Sequence, residues 1–225
     1  MRHALILAAG RGRRMRPLSD RTPKPLLNAG GKPLIEWQLK KLAAAGVREV
    51  VINTSALADQ FPAALGTGEA WDVAIHYSHE GDEPLETGGG MRHALPWLGD
   101  GPFIAVSADI WSDFDYTTLP ADPAGLAHLV MVPNPDFHTA GDFYLDGNTL
   151  NEDGNGERLT FASIGVYRPE FIAPHAPGRF ALLPLYRRAM RDEQLTGERY
   201  DGFWRNIGTP QQLAELDTHL SHLRS

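Results

Sequence analysis

One segment near the start of the chain sets its architecture: Leu7-Ala8-Ala9-Gly10-Arg11-Gly12-Arg13-Arg14-Met15-Arg16-Pro17-Leu18, continued by Thr22-Pro23-Lys24-Pro25-Leu26. The apolar residues 4–7 predict a short buried strand that ends in a loop of small residues. Gly10 and Gly12 carry no Cβ atom, so a ligand can approach the backbone closely there. Consecutive backbone N–H groups in such a loop can bind phosphate oxygens, and Arg14 and Lys24 can neutralise them. The alternative is a solvated basic loop that follows an edge strand.

Two well-known phosphate-binding motifs do not fit this loop. The dinucleotide-binding fingerprint Gly-x-Gly-x-x-Gly has Met15 in place of its third glycine. The P-loop requires Gly-Lys-Ser/Thr, whereas Gly31-Lys32 is followed by Pro33 and lacks the upstream glycine. The loop therefore indicates phosphate binding of another kind.

Strand-like and helix-like patterns alternate along residues 1–135, which is typical of a parallel sheet with crossover helices. The predicted strands are 4–7, 47–53, 73–77, 103–106, 143–145 and 159–166. The predicted helices are 33–45, 91–98, 182–193 and 210–223. We therefore predict one α/β domain over residues 1–225, with a Rossmann-like, mostly parallel mixed sheet and flanking helices.

The composition excludes several classes of protein. The chain has 21 Lys and Arg against 28 Asp and Glu, a net charge of −7, and no cysteine. Without cysteine there is no disulfide scaffold, thiolate nucleophile or cysteine-based zinc site. The acidic balance argues against nucleic acid as a partner, and no apolar run is long enough to cross a membrane. We expect a cytoplasmic protein that is a monomer or a small homo-oligomer.

The cations are concentrated at the start of the chain. Residues 1–24 contain one acid, Asp20, against these basic residues: Arg2, Arg11, Arg13, Arg14, Arg16, Arg21 and Lys24. In an acidic protein this distribution predicts a segment that binds a small anion.

The two opening motifs resemble the signature of the nucleoside-triphosphate sugar-1-phosphate nucleotidyltransferases. Further segments are similar to one compact branch of that family, the N-acetylmuramate α-1-phosphate uridylyltransferases of cell-wall recycling: Pro84-Leu85-Glu86-Thr87-Gly88-Gly89-Gly90, Trp111-Ser112-Asp113-Phe114-Asp115, Gly125-Leu126-Ala127-His128-Leu129-Val130, Gly141-Asp142-Phe143 and Leu159-Thr160-Phe161. The resemblance implies a fold of the nucleotide-diphospho-sugar transferase type. Because the chain ends soon after Gly208-Thr209-Pro210, we expect no C-terminal β-helix, which longer relatives have.

This resemblance also implies a reaction. UMP would be transferred from UTP to N-acetylmuramic acid α-1-phosphate, giving UDP-N-acetylmuramic acid and pyrophosphate in peptidoglycan recycling, with Mg²⁺ as cofactor. Residues 1–135 would form the nucleotide-binding half and residues 136–225 the sugar-binding half. Two alternatives remain: transfer to another sugar 1-phosphate, such as glucose or mannose with dTTP or GTP, or a sugar-nucleotide sensor without turnover.

The resemblance assigns the catalytic roles to three residues. Arg14 would stabilise charge on the α-phosphorus and pyrophosphate, Lys24 would bridge the α-phosphate and the sugar phosphate, and Asp109 would bind Mg²⁺. Asp109 follows a predicted core strand, where α/β sheets place ligands, although a helix N-cap is the alternative. The second metal ligand would be Asn206, at a position where an aspartate is usual, so one formal charge is lost.

The residues expected to bind the nucleotide lie in several segments: Ala8, Ala9, Gly10, Arg11, Gly12, Lys24, Glu80, Thr87, Gly88 and Gly89. The segment Thr87-Gly88-Gly89 would receive the uracil and ribose through backbone groups, or else it is a glycine-rich helix start. Glu80 would help to read the base, or else it is a solvated loop acid.

The residues expected to contact the sugar are Ser107, Asp142 and Ser163. A nearby cation would stabilise the lactyl carboxylate of muramic acid. The candidates for this cation are Arg158, Arg179, Arg187 and Arg205. We expect Arg13 and Arg16 to be solvated or structural.

Overall fold

The computed structural model describes residues 1–154 and 156–222. Its strands are β1 (His3–Leu7), β2 (Asn28–Ala29), β3 (Lys32–Pro33), β4 (Glu49–Thr54), β5 (Ala74–His79), β6 (Phe103–Ser107), β7 (Ile110–Ser112), β8 (Ala127–Val132), β9 (Phe143–Asp146), β10 (Thr149–Asn151), β11 (Glu157–Tyr167), β12 (Leu195–Arg199) and β13 (Trp204–Asn206). Its α-helices are α1 (Leu34–Ala44), α2 (Gln60–Leu65), α3 (Glu86–Ala94), α4 (Leu183–Arg191) and α5 (Pro210–His222).

Nine of the strands form one sheet in the order β5-β4-β1-β6-β11-β8-β12-β10-β9. Strands β5, β4, β1 and β6 run parallel to one another. Strand β11 is antiparallel to β6 and β8, and β8 is parallel to β12. The predicted α/β class, with a mostly parallel mixed sheet, is confirmed.

Helices cover both faces of the sheet. Successive strand residues point to opposite faces, so Ile6 packs with α1 and α2 on one side, while Leu5 packs with α3 and α4 on the other. Helix α5 buries Leu213, Leu216 and Leu220 in a smaller cluster beside the main sheet. The helix predicted over 210–223 is observed as far as His222, and residue 223 lies outside the described residues.

The strongest difference from the sequence prediction concerns α3, which begins at Glu86 instead of residue 91. Glycines are poor helix formers, so the sequence offers a helix start at Thr87-Gly88-Gly89 only as an alternative. Tertiary packing requires glycine at these positions. A Cβ atom on Gly88 would lie 2.5 Å from the Phe180 ring, and one on Gly90 would lie 2.4 Å from Glu80 Oε1. Helix α3 ends at Ala94, before a 3-10 turn that contains Pro96.

Some short elements carry no local signal that predicts them. Helix α2 has six residues, and β7 and β13 have three each. Strands β7 and β13 form a separate two-stranded sheet, so each is a strand only because the other pairs with it. None of the helices within residues 1–154 and 156–222 has the length and hydropathy needed to span a bilayer.

Candidate active site

A cavity of about 360 Å³ opens where β1, β4 and β6 end. The carboxyl ends of neighbouring parallel strands meet at one edge of the sheet, which is the usual ligand-binding edge of α/β proteins. The predicted site residues that line this cavity are Ala8, Ala9, Gly10, Gly12, Arg14, Lys24, Glu80, Thr87, Ser107 and Asp109. The predicted residues that are not among its lining residues are Arg11, Gly88, Gly89, Asp142, Ser163 and Asn206.

The loop after β1 is folded tightly onto the segment that carries Lys24. Gly12 has a φ of 57°, in the left-handed region, and a Cβ atom there would lie 3.1 Å from Lys24 Cβ. Its carbonyl oxygen accepts hydrogen bonds from Ser19 Oγ and Met15 N, both at 2.8 Å. A Cβ atom on Gly10, in contrast, would meet no described atom within 4 Å. Gly12 therefore shapes the loop, and Gly10 leaves its backbone accessible.

Asn53, at the end of β4, holds the start of this loop. Its Oδ1 atom accepts hydrogen bonds from Ala8 N at 2.5 Å and Ala9 N at 3.3 Å, and its Nδ2 atom donates to Glu80 Oε1 at 2.6 Å. Glu80 Oε2 accepts from Leu85 N at 2.7 Å. Burial raises the pKa of Glu80, and the hydrogen bonds from Leu85 and Asn53 oppose that shift.

This network changes the interpretation of two residues. Both carboxylate oxygens of Glu80 are used inside the protein, so Glu80 is not a solvated loop acid. Asn53 lines the cavity, and the sequence interpretation missed it. The available signal was a polar residue at the carboxyl end of an apolar strand, the same signal that singled out Asp109.

Lys24 and Asp109 form an ion pair at the cavity, with Lys24 Nζ 2.6 Å from Asp109 Oδ2. The Lys24 side chain is only 7% exposed and begins a 3-10 turn between Pro23 and Leu27. Asp109 is 37% exposed and lies between β6 and β7, so it is not a helix N-cap. A buried ammonium group requires such a partner, because an unpaired charge in a protein interior is costly.

Asn206 lies beside Asp109 through the β7–β13 ladder. Asn206 pairs with Ile110, and Ile207 N donates a hydrogen bond to the Asp109 carbonyl oxygen at 2.8 Å. The side-chain Oδ1 atom of Asn206 is buried and has no hydrogen-bond partner among the described residues. A carboxylate and a free amide oxygen suit Mg²⁺, which usually binds one or two protein ligands together with phosphate and water.

The cavity has few protein ligands for a metal ion. No group of three or more His, Cys, Asp or Glu side chains is arranged to hold a metal within residues 1–154 and 156–222. The residues present therefore fit a Mg²⁺ ion that takes its other ligands from a bound substrate, and they do not fit a metal held by protein alone.

Two arginines face the cavity without an acidic partner in the described part of the chain, Arg13 and Arg14. The guanidinium group of Arg14 packs on the backbone of Gly208, where a Cβ atom would lie 3.3 Å from Arg14 Cζ. Arg13, for which the sequence predicts a solvated or structural role, is exposed and also lines the cavity beside Arg14. Both cations are thus exposed and available to an anion.

The other basic residues of the loop are paired elsewhere. Arg16 forms an ion pair with Asp20 at 2.9 Å, which agrees with the structural role expected for it. Arg11 forms an ion pair with Glu83 at 3.1 Å and donates to the Asp82 carbonyl oxygen at 2.8 Å. The Arg11 side chain is therefore paired outside the residues that line the cavity.

The glycines at the start of α3 are not among the residues that line the cavity. The N–H groups of Gly88 and Gly89 both donate to the Phe180 carbonyl oxygen at 3.0 Å, so they are not free to bind a base or ribose. Thr87 lines the cavity, and its Oγ1 atom accepts a hydrogen bond from Leu182 N at 3.2 Å. The structure shows the glycine-rich helix start that was the alternative for this segment.

The predicted sugar-binding residues divide into two groups. Ser107 ends β6 and lines the cavity. Asp142 accepts a hydrogen bond from Phe161 N at 2.8 Å and is hydrogen-bonded to His138 Nε2 at 2.9 Å. Ser163 has a φ of 59° and lies in the bulge where the register of β11 shifts. Asp142 and Ser163 thus shape β11 beside the cavity lining.

The four arginines considered for the lactyl carboxylate are also outside the cavity lining. Two form ion pairs and two lie over aromatic rings: Arg179 with Glu86 at 3.1 Å, Arg187 with Glu152 at 2.7 Å, Arg158 over Tyr144 at 5.4 Å and Arg205 over Phe203 at 4.8 Å. Glu86 lines the cavity, so Arg179 is linked to it through one ion pair.

Known proteins resemble this chain in sequence and in fold. Residues 3–132, more than half of the chain, match the sequence model of the family described as nucleotidyl transferase. The chain belongs to this family, and within it to the sugar-1-phosphate nucleotidyltransferases.

Two relatives match the chain over almost its whole length. The chain is 45% identical to the N-acetylmuramate alpha-1-phosphate uridylyltransferase of Neisseria meningitidis serogroup B, over 94% of this chain and 95% of the relative. It is 35% identical to the protein of the same name from Caulobacter vibrioides, over 97% of this chain and 96% of that one.

The fold is similar to that of a crystal structure from Bacillus anthracis assigned as a glucose-1-phosphate thymidylyltransferase. The TM-score is 0.82 over 98% of this chain and 96% of that one, with 18% identity. At this identity the likeness supports the fold alone, and it agrees with the nucleotide-diphospho-sugar transferase type expected from the sequence.

Proposed function

We propose that this protein transfers UMP from UTP to N-acetylmuramic acid α-1-phosphate and releases pyrophosphate. The observation that carries the reaction type is the Lys24–Asp109 ion pair at a cavity where Arg13 and Arg14 face solvent without acidic partners among the described residues. The choice of UTP and of this sugar rests on the two relatives of that name, which match nearly the full chain.

The reaction needs no protein nucleophile. A phosphate oxygen of the sugar phosphate bonds to the α-phosphorus of UTP, and the bond from that phosphorus to the bridging oxygen breaks, so that pyrophosphate leaves with the electron pair. The attacking oxygen is already an anion, so no proton has to be removed. The barrier is chiefly the repulsion between two highly charged anions, and catalysis consists of positioning them and neutralising charge.

The residues at the cavity can perform these tasks. Arg14 and Arg13 present guanidinium groups that bind phosphate oxygens in pairs, and Arg14 is held against the Gly208 backbone. Lys24 supplies a third cation from a buried, preorganised position, where its field is stronger than in water. Asn53 holds the start of the loop through the N–H groups of Ala8 and Ala9, and the open backbone at Gly10 allows a phosphate to approach closely.

We propose Asp109 and Asn206 as the ligands of a Mg²⁺ ion. When bound there, Mg²⁺ would neutralise phosphate oxygens of the substrates. The Asp109 carboxylate also pairs with Lys24, and this arrangement holds a cation and a metal ligand at one point of the cavity. Asn206 provides an amide oxygen that has no other partner in the described residues.

We also propose where in the cell the protein acts. UTP and sugar phosphates are cytoplasmic metabolites, so we propose a cytoplasmic enzyme of peptidoglycan recycling. We still predict that the protein has no nucleic-acid or membrane partner. We also still predict that it is a monomer or a small homo-oligomer.

One experiment tests this function. The protein is incubated with Mg²⁺, each nucleoside triphosphate and a panel of sugar 1-phosphates, and pyrophosphate release is measured. We expect turnover with UTP and N-acetylmuramic acid α-1-phosphate. N-acetylglucosamine 1-phosphate is the matched control, because it lacks only the lactyl group.

The other outcomes decide between the alternatives. Turnover with glucose or mannose 1-phosphate and dTTP or GTP would assign a different sugar nucleotide to the same reaction. Nucleotide binding without pyrophosphate release from any pair would support the sugar-nucleotide sensor instead.

A further inference from the structure

Strand β7, which follows Asp109, makes hydrogen bonds along both of its edges, to a strand on one edge and to helix side chains on the other. Along one edge it pairs with β13, the strand that carries Asn206. Along the other edge, carbonyl groups accept hydrogen bonds from side chains of α1. Gln38 Nε2 donates to the Ile110 carbonyl oxygen at 2.7 Å, and Lys41 Nζ donates to the carbonyl oxygens of Ser112 and of Phe114, the latter at 2.9 Å.

These side chains are themselves fixed. The buried hydroxyl of Tyr116 donates to Gln38 Oε1 at 2.5 Å, which sets the orientation of the amide and points its nitrogen toward Ile110. Gln38 is 1% exposed and Tyr116 3%. The ammonium group of Lys41 lies 5.3 Å from the centre of the Tyr116 ring. We call Gln38, Lys41 and Tyr116 the α1 brace.

The hydrogen bonds that the α1 brace donates go to Ile110, Ser112 and Phe114, outside the main sheet. The nine-stranded sheet contains neither β7 nor β13. Placing an amide and an ammonium group on the buried side of a helix costs free energy of desolvation, which an apolar side chain would avoid. What the brace holds is the short ladder in which Ile110 follows Asp109 directly and pairs with Asn206.

We propose that Gln38, Lys41 and Tyr116 are positioning residues for the candidate metal ligands. By binding the carbonyl groups on the outer edge of β7, they fix Asp109 and Asn206 relative to each other and to Lys24. Residues that orient metal ligands in this way commonly change metal affinity when they are mutated. The inference rests on the proposed function, since it assumes that Asp109 and Asn206 bind the metal ion used in catalysis.

The test uses the full chain and two variants of different severity. Tyr116→Phe removes only the hydroxyl that orients Gln38. Lys41→Met removes the hydrogen bond to Ser112 in β7 and the one to Phe114, two residues after β7. Lys40→Met is the matched control, because Lys40 is the exposed neighbour on the same helix. Three quantities are measured below the unfolding temperature: Mn²⁺ binding with UTP by electron paramagnetic resonance, turnover against Mg²⁺ concentration, and hydrogen exchange of residues 109–114.

We expect both variants to bind Mn²⁺ about tenfold more weakly and to need about tenfold more Mg²⁺ for half-maximal turnover. Excess Mg²⁺ should restore part of the turnover, which a merely destabilised protein would not show. Hydrogen exchange of residues 109–114 should become faster, and Lys40→Met should match the wild type in all three measurements.

Two results would overturn the inference while leaving the proposed function intact. One is faster exchange at residues 109–114 with wild-type Mn²⁺ binding and Mg²⁺ dependence, which would make the α1 brace purely structural. The other is unchanged exchange in both variants, which would show that the brace does not hold β7. A wild-type protein that neither binds Mn²⁺ nor releases pyrophosphate would instead refute the proposed function, and with it the assumption about the metal ligands.

Discussion

The ammonium group of Lys24 lies 2.6 Å from the carboxylate of Asp109, although the two residues are 85 positions apart in the chain. Lys24 belongs to the turn after the glycine-rich loop, and Asp109 follows β6, the neighbour of β1 in the sheet. The pairing of β1 with β6 brings them together. A cation and a carboxylate thus meet at one point of the cavity, and each lowers the cost of desolvating the other.

Lys24→Ala should lower kcat by about 100-fold or more, because one preorganised charge on the transferring phosphate is lost. The fold should survive, since Asp109 is 37% exposed and can be hydrated without its partner. Steady-state kinetics and circular dichroism check both statements. Arg16→Ala, which breaks the exposed ion pair with Asp20, is the control. Near-normal turnover would remove Lys24 from the mechanism.

Asn206→Asp should lower the Mg²⁺ concentration needed for half-maximal turnover, because it adds a formal charge at an oxygen that is already buried at the site. Without Mg²⁺ the variant should unfold at a lower temperature than the wild type, since the new carboxylate has no partner. Added Mg²⁺ should raise this temperature more than in Asn28→Asp, a control on an exposed side chain. An identical Mg²⁺ titration for variant and wild type would show that residue 206 is not a ligand.

Gly10→Ala should separate ligand binding from stability. No described protein atom lies within 4 Å of an added Cβ, so the free energy of unfolding should stay close to that of the wild type. The new methyl group should still weaken UTP binding, because Gly10 lines the cavity. Gly101→Ala, which also meets no described atom within 4 Å but lies away from the cavity, should change neither quantity. Unchanged UTP binding, measured by calorimetry, would mean that the substrate does not approach Gly10.

Asn53→Ala should weaken UTP binding and destabilise the protein. The substitution leaves the N–H groups of Ala8 and Ala9 and one oxygen of Glu80 without their partner, at a cost of about 1–3 kcal/mol. Chemical denaturation and equilibrium UTP binding measure the two effects. A variant that loses stability but binds UTP as tightly as the wild type would limit Asn53 to a structural role.

Lys41 should make stability depend on pH in the alkaline range. Burial lowers its pKa to about 8 from an ordinary value of 10.5, and the nearby carboxylates of Asp113 and Asp115 oppose that shift. Between these two pH values the unfolded chain holds the proton more tightly than the folded protein does, so the free energy of unfolding should rise with pH. The free energy of unfolding of the wild type should therefore rise relative to that of Lys41→Met from pH 8 to pH 10.5. A difference that stays constant would contradict the lowered pKa.

Much of the site could be predicted because its signals are local. The run of small residues after β1 indicates a backbone that a ligand can approach, and Asp109 stands directly behind an apolar strand. Arg13 shows the limit of such reasoning, since a basic loop contains several arginines and only the fold decides which ones face the cavity. Asn53 was missed for a related reason: its partners Ala8 and Glu80 are 45 and 27 residues away.

The amino-acid sequence by itself determined the class of the fold, the family and the chemical character of the loop after β1, because these depend on short-range patterns of apolar, small and charged residues. Only the tertiary structure decided how individual groups are used. The N–H groups of Gly88 and Gly89 bind Phe180, and β7 and β13 exist because they pair with each other and, for β7, with α1. Such outcomes depend on hydrogen-bond partners from distant parts of the chain, and the order of the strands in the sheet determines which partners meet.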